Sequence, residues 1–205
     1  MNAASLQRVL DGLAPPGVVV GHRVISAGDE AALLPPEVAS MRSSLPVRRR
    51  ASGAARFVAR QLLSGLGYPS CAIPTGADGA PQWPEGIVGS LAHDDDVAVA
   101  AVALARDVAA LGIDVEPAEP LPEEMLDLVV TKQERRQLGN DPLTARTLFA
   151  AKEAVYKAAY PGDRIFLEFH DIEVDLIEGR AKTKSDRVFT LRYCAAPRIV
   201  VLAFA

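Results

Sequence analysis

Four groups of residues in this sequence have types and spacings that could do chemistry. In Gly112-Ile113-Asp114-Val115-Glu116, two carboxylates stand two residues apart. On a strand both would project from one face, side by side at its end. Carboxylates held that close repel unless something neutralises them. A hard divalent cation is the natural partner, because Mg²⁺ takes one or two carboxylates and completes its shell with phosphate oxygens and water. The same spacing also fits a solvated strand end stopped by Pro117.

The second group is Lys152, Glu153 and Lys157. Glu153 and Lys157 share a helix face, with Lys152 one step round. As an exposed ion pair this would contribute only about 0.3–0.5 kcal/mol. The helix around it is apolar on most sides, with Leu148, Phe149, Ala150, Ala151, Ala154, Val155, Ala158 and Ala159. Charges set in so apolar a helix suggest a partly buried functional face.

The third is His93, placed after Gly89-Ser90-Leu91-Ala92 and before a strand, where it could donate to an anion or be an ordinary loop histidine. Asp94, Asp95 and Asp96 follow it and would repel phosphate if they shared its direction, so they read as turn and surface residues. The fourth is a stripe of Arg49, Arg56 and Arg60 on one helix. It is either a solvated face or a phosphate cradle, for which the guanidinium fork is well suited. Trp83 has a packing or a stacking role. Together the groups make a phosphoryl-transfer kit: cations for polyphosphate, a histidine, a carboxylate pair for a metal, and a Glu/Lys pair for proton handling.

These residues need elements to hold them. Leu6, Val9, Leu10 and Leu13 have helical spacing, stopped by Pro15-Pro16-Gly17. Val18–Ile25 reads as a strand, and Ala31–Met41 contains a short helix after Pro35-Pro36. Pro46 opens a helix to about Gly65, whose stripe of Ala51, Ala55, Val58 and Leu62 faces a core opposite the arginines. Residues 69–88 are rich in Pro and Gly and read as loop, with one short strand at Cys71–Ile73. Strands are expected at Val97–Leu104, Gly112–Glu116, Ile172–Leu176, Val188–Tyr193 and Ile199–Phe204, and helices at Pro122–Gln137 and Thr144–Tyr160, the last closed by Pro161-Gly162. No internal repeat is visible. Strands and helices mix without strict alternation, which favours an α+β fold.

The bulk composition narrows the function classes. Net charge is −4, against a general nucleic-acid binder. The 205 residues, 49% of them apolar, suffice for one sizeable domain or two small lobes. Cys71 and Cys194 form neither a CxxC nor a metal-ligand spacing and read as reduced thiols. The N-terminal residues lack a signal-peptide pattern, and the longest apolar run, Val97–Ala105, is too short to span a bilayer. A cytoplasmic protein without a membrane span is expected.

Taken in order, the segments resemble the 4′-phosphopantetheinyl transferase superfamily, in its enterobactin-type bacterial branch. GADGAPQWPEGIVGSLAH resembles that branch's loop from a Gly-rich turn through Trp-Pro to Gly-Ser and the histidine. GIDVEPAEPLP resembles its Gly-Ile-Asp-x-Glu signature, LFAAKEAVYKAAYP its Lys-Glu-Ala-x-Tyr-Lys helix, and LEFHDIEVDL the segment after it. The resemblance implies two similar lobes with pseudo-twofold symmetry and the active site between them. Here these would be residues 1–108, on the nucleotide side of coenzyme A, and 109–205, with the metal and catalytic helix. It implies transfer of phosphopantetheine from coenzyme A to a serine of an apo acyl, peptidyl or aryl carrier protein. Mg²⁺, with Mn²⁺ the alternative, would sit on Asp114, Glu116 and Glu153. Glu153 would be the general base, and Lys152 and Lys157 would offset charge on the pyrophosphate. His93 would contact a phosphate, and Arg49 and Arg56 the 3′-phosphate or adenine side, with Arg48 a rival for Arg49. A monomer is expected. Three positions depart from the family pattern: Thr75 where a basic residue is common, Ala92 for Ser or Thr, and Asp94 for a small residue or Cys. Two other classes compete: a non-catalytic relative that docks carrier proteins or coenzyme A, and a different metal-dependent phosphoryl enzyme such as a nucleotide hydrolase. The absence of a P-loop Gly-x-x-x-x-Gly-Lys weighs against the second.

Overall fold

A computed structural model describes residues 3–41 and 45–205. Its helices are α1 (Ala3–Leu13), α2 (Pro35–Ser40), α3 (Pro46–Gly65), α4 (Leu126–Val129) and α5 (Thr144–Asp163). Its strands are β1 (Val18–Val24), β2 (Ile87–His93), β3 (Val97–Leu104), β4 (Leu111–Glu116), β5 (Ile172–Asp175), β6 (Arg180–Thr183), β7 (Val188–Cys194) and β8 (Ile199–Phe204). They form two antiparallel sheets, ordered β1-β3-β2 and β4-β8-β7-β6-β5.

The layers follow from the strand patterns. The VAVAAVAL run of β3 is apolar without alternation because both its faces are buried. Ala100 and Val102 pack under Val58, Ala59 and Leu63 of α3. Val97, Val99, Ala101 and Ala103 face the second sheet, where they meet Ile113, Val115, Val200 and Leu202. Beyond that sheet, Ile199, Val201 and Ala203 pack against Ala150, Ala154 and Ala158 of α5. The order is α3, three-stranded sheet, five-stranded sheet, α5.

Period-two alternation in β4 then positions the chemistry. Leu111, Ile113 and Val115 face the first sheet. Gly112, Asp114 and Glu116 therefore face α5. A Cβ at Gly112 would lie 1.9 Å from the Ala154 carbonyl oxygen, so only glycine allows α5 to approach this closely. At the junction of the sheets, the Ile113 amide donates to Ser90 Oγ at 3.0 Å.

Several expectations are corrected. Cys71–Ile73 is not a strand; the Ile73 amide donates instead to the Glu37 carboxylate at 2.9 Å. Ile87 and Val88, expected within the loop, instead open a strand, β2, that runs to His93. Ala31–Met41 divides into a 3₁₀ turn at Asp29–Ala32 and α2. Pro122–Gln137 is not one helix but 3₁₀ turns at Glu123–Met125 and Glu134–Gln137 with α4 between. The reason is a capping box: Thr131 Oγ1 accepts from the Glu134 amide at 3.2 Å, and Glu134 Oε2 accepts from the Thr131 amide at 2.9 Å. α5 continues through Pro161, which falls in its last turn, and ends at Arg164, with φ of 55°. β6 was missed because RAKT alternates only two small side chains inward.

One arrangement occurs twice. Glu37 is fully buried, accepts from the amides of Leu34 and Ile73, and pairs with Arg60 at 2.7 Å, while Arg60 also donates to the Ala32 carbonyl. Glu134 is fully buried, accepts from the amides of Thr131 and Val174, and pairs with Lys152 at 2.7 Å, while Lys152 also donates to the Val129 carbonyl. In both, the glutamate takes the amide three residues before it and shares its cation with the carbonyl five residues before it. The equivalence lies in backbone bonds, which is why no repeat is visible in side-chain identity.

Candidate active site

Asp114 and Glu116 reach the α5 side of β4, as the alternation requires. The Lys157 ammonium donates to Asp114 Oδ1 at 2.6 Å. Asp114 Oδ2 is buried and has no hydrogen-bond partner. Glu116 Oε2 accepts from Arg146 at 2.8 Å. Burial raises the pKa of Asp114, against the opposing pull of Lys157, and raises that of Glu116, where the Asp114 charge adds to the effect. Glu153, on the same stretch of α5, is also raised by burial, with Lys157 opposing and Asp114 reinforcing. Partial desolvation lowers the pKa of His93 at the end of β2, and the Lys157 charge lowers it further. His93, Asp114, Glu116, Glu153 and Lys157 thus form one electrostatically coupled group, drawn from β2, β4 and α5.

Among the described residues no three His, Cys, Asp or Glu side chains already converge around an ion position. Lys157 and Arg146 hold the carboxylates instead. The donor set nonetheless fits a hard divalent cation. Asp114 Oδ2 is an orphaned buried acceptor, and the Asp114 charge adds to the burial that raises Glu116 and Glu153. Asp114 and Glu116 would hold the ion, with Glu153 beside them. The sign of the linkage follows. A carboxylate whose folded pKa is raised contributes stability below its unfolded pKa and loses it as pH rises through the folded value. The metal-free protein therefore carries this penalty at neutral pH, and a cation relieves it. Mg²⁺ at about 100 times its Kd should stabilise the fold by about 2.7 kcal/mol. A thermal melt should show the larger shift at the higher pH, and Asp114→Asn should remove most of it; an equal shift in that variant would exclude Asp114 as a ligand.

The expected residues do not all converge. Lys152, expected at the pyrophosphate, is a correction: its ammonium is fully enclosed by Glu134 and the carbonyls of Val129 and Phe169. It has turned into the core because it lies one step round from the Glu153–Lys157 face. Arg60 also leaves the expected stripe, for Glu37. Arg56 is buried, not solvated, because residues 29–41 and 71–75 cover that face of α3. All three of its guanidinium nitrogens are engaged, by the Ile73 carbonyl, Ser52 Oγ and Thr75 Oγ1, which leaves two of about five N–H donors for a ligand. Thr75 therefore stands as the partner of Arg56. Arg48 is exposed and Arg49 half-buried at the start of α3. Trp83 packs its ring over Gly89, where a Cβ would come within 2.7 Å.

Two cavities meet at Glu153 and Tyr156. One, of about 470 Å³, is lined by Leu128, Phe166, Leu167, Phe169 and the aliphatic wall of Lys152. The other, of about 330 Å³, lies between α5 and the 78–91 region, against Asp78, Pro81, Trp83, Ser90 and Lys157. Arg146 is a further side chain at this site, outside the expected set. It braces Glu116 and also donates to the carbonyls of Glu119 and Pro120. Its signal was present: Arg146 is seven residues before Glu153, two helical turns along one stripe.

Comparison with known proteins gives the family. Residues 36–103 match the model of the 4′-phosphopantetheinyl transferase N-terminal domain, and residues 110–201 that of the 4′-phosphopantetheinyl transferase superfamily. The chain is 39% identical over 170 residues to 4′-phosphopantetheinyl transferase Svp of Streptomyces mobaraensis, covering 79% of this chain and 69% of the relative. It is 42% identical over 143 residues to 4′-phosphopantetheinyl transferase Npt of Nocardia iowensis, covering 68% and 64%. It is 30% identical over 138 residues to enterobactin synthase component D of Salmonella typhi, covering 64% and 56%. The match thus spans just over two thirds of the first relative's length and less than two thirds of the other two.

Proposed function

The chain belongs to the 4′-phosphopantetheinyl transferase superfamily, and from that premise we propose that it moves the 4′-phosphopantetheine arm of coenzyme A onto a serine of an apo carrier protein. The observation that carries this reading is the Lys157–Asp114 ion pair at the junction of the two sheets, electrostatically coupled to His93, Glu116 and Glu153.

Glu153 takes the serine proton. Burial raises its pKa toward the range where a general base works best near neutral pH. The serine oxygen forms a bond to the β-phosphorus of coenzyme A, the bond from that phosphorus to the bridging oxygen breaks, and 3′,5′-ADP leaves. Asp114 and Glu116 would hold Mg²⁺ (or Mn²⁺), which would supply neutralising charge for the pyrophosphate. Lys157 adds a second positive charge at the same place, and His93 donates to a phosphate. Arg48, Arg49 and the remaining donors of Arg56 face the nucleotide end. The larger cavity, lined by Asp127, Glu168 and His170 as well as by its apolar side chains and reaching Glu153, takes the pantetheine arm.

The two matched family models, ending at 103 and beginning at 110, support a lobe boundary at 108/109. The repeated glutamate hub supports similar lobes related by pseudo-twofold symmetry. Among the described residues no helix is long and apolar enough to cross a membrane. The reading places the enzyme in the cytoplasm as a monomer, since one chain supplies every group of the site. Similarity to an enterobactin synthase component makes siderophore and nonribosomal-peptide carriers the first acceptors to try. With coenzyme A, Mg²⁺ and such an apo carrier, 3′,5′-ADP should appear in step with modified carrier. Hydrolysis of coenzyme A that ignores the carrier would overturn the reading.

A further inference from the structure

The three aspartates after His93 remain to be accounted for, and one of them is not a surface residue. The Asp94 side chain is only 7% exposed. Its Oδ1 accepts from the amides of Asp96 at 2.8 Å and Val97 at 2.7 Å, which fixes the β2–β3 turn. Its Oδ2 is buried and accepts no well-aligned hydrogen bond, but the Arg198 guanidinium stands 2.9 Å away. Arg198 belongs to the β7–β8 turn of the other sheet, immediately before Ile199, the register partner of Glu116. It also grips Asp96, whose carbonyl in turn accepts from the Ile25 amide.

The contact thus spans the two sheets, beside a metal-ligand candidate on one and His93 on the other. The negative charge of Asp94 is felt at both: it raises Glu116 and opposes the lowering of His93. Without compensation it would repel any anion arriving at the His93 edge. Arg198 is the cation placed to offset it.

We propose that Arg198 is a positioning residue for the transferase: reaching across from the opposite sheet, it neutralises Asp94 in the turn that follows His93 and so keeps that edge open to the phosphates of coenzyme A. The inference rests on coenzyme A being the substrate. It assigns Arg198 no contact with the reacting atoms, so its effect belongs in substrate binding and not in the chemical step.

The test is steady-state transfer to an apo carrier, with KM for coenzyme A and kcat measured separately, and a thermal melt of each variant. Arg198→Gln should raise KM about tenfold, as expected for a charge removed from a coupled network, with kcat within about twofold. Asp94→Asn keeps an oxygen for the two turn amides but removes the charge. The double variant Asp94→Asn/Arg198→Gln should therefore return KM to within about threefold of the parent. Arg198→Lys, which keeps the charge, should do the same. A merely structural clamp predicts the reverse, a double variant no better than Arg198→Gln. That result, or an unchanged KM in Arg198→Gln, would overturn the proposal. Should Arg198→Gln fail to fold, Asp94→Asn alone decides: an unchanged or lower KM supports charge compensation, and a raised KM refutes it. A parent protein that transfers nothing refutes the functional reading itself, and this inference with it.

Discussion

Glu153→Gln is expected to lower kcat about 10²–10⁴-fold, the range lost when a positioned general base is removed. The fold should survive. Glu153 has its pKa raised by burial, so its ionised form is held there at a cost to stability, and a neutral amide of the same shape relieves that cost. The melting temperature of the metal-free variant should therefore equal or exceed that of the parent. The KM for coenzyme A should change less than kcat, because His93 and Lys157, the groups proposed to face the phosphates, remain in place. Loss of activity together with a collapsed melting temperature would show Glu153 to be structural. Full activity would remove the general-base role.

Lys152→Met should do the opposite. Lys152 is enclosed with Glu134, and removing one partner of a buried ion pair costs about 3–5 kcal/mol. For a chain of this size the melting temperature should fall by about 10 °C. The double variant Lys152→Met/Glu134→Gln should recover part of that loss. It leaves no uncompensated charge, and the glutamine oxygen can still accept from the Val174 amide. Molecules that remain folded should keep kcat within about threefold of the parent. A Lys152→Met protein of normal stability that has lost transfer would return Lys152 to the pyrophosphate.

The contrast between these neighbouring residues marks what the sequence could reveal. Asp114-x-Glu116 was legible because a two-residue repeat on a strand fixes the face, whatever lies opposite. Glu153 and Lys157 were legible because four-residue spacing on an unbroken helix fixes theirs. Lys152 was not, because one step round a helix turns a side chain by about 100°, and only the packing of α4 and the Glu134 turn shows where that points. Arg56 and Arg60 failed for the same reason. Their stripe is polar, and polar stripes ordinarily face water, but residues 29–41 close over this one through Glu37. Arg198 was out of reach altogether, since its partners are 104 and 102 residues away in the chain and no local pattern couples them. The strands around β3 were legible from their apolar runs. Residues 122–137 were not, although Thr131-x-x-Glu134 carries the capping signature that breaks them.

Whether this site joins phosphopantetheine to a carrier serine is read from the intact mass of the carrier. An apo carrier protein incubated with the enzyme, coenzyme A and Mg²⁺ should gain the mass of one phosphopantetheine group, at its serine, and should gain none when the enzyme carries Glu153→Gln or the metal is chelated. A panel of fatty-acid, polyketide and peptide-synthetase carriers that all keep their apo mass with the parent enzyme would contradict that transfer.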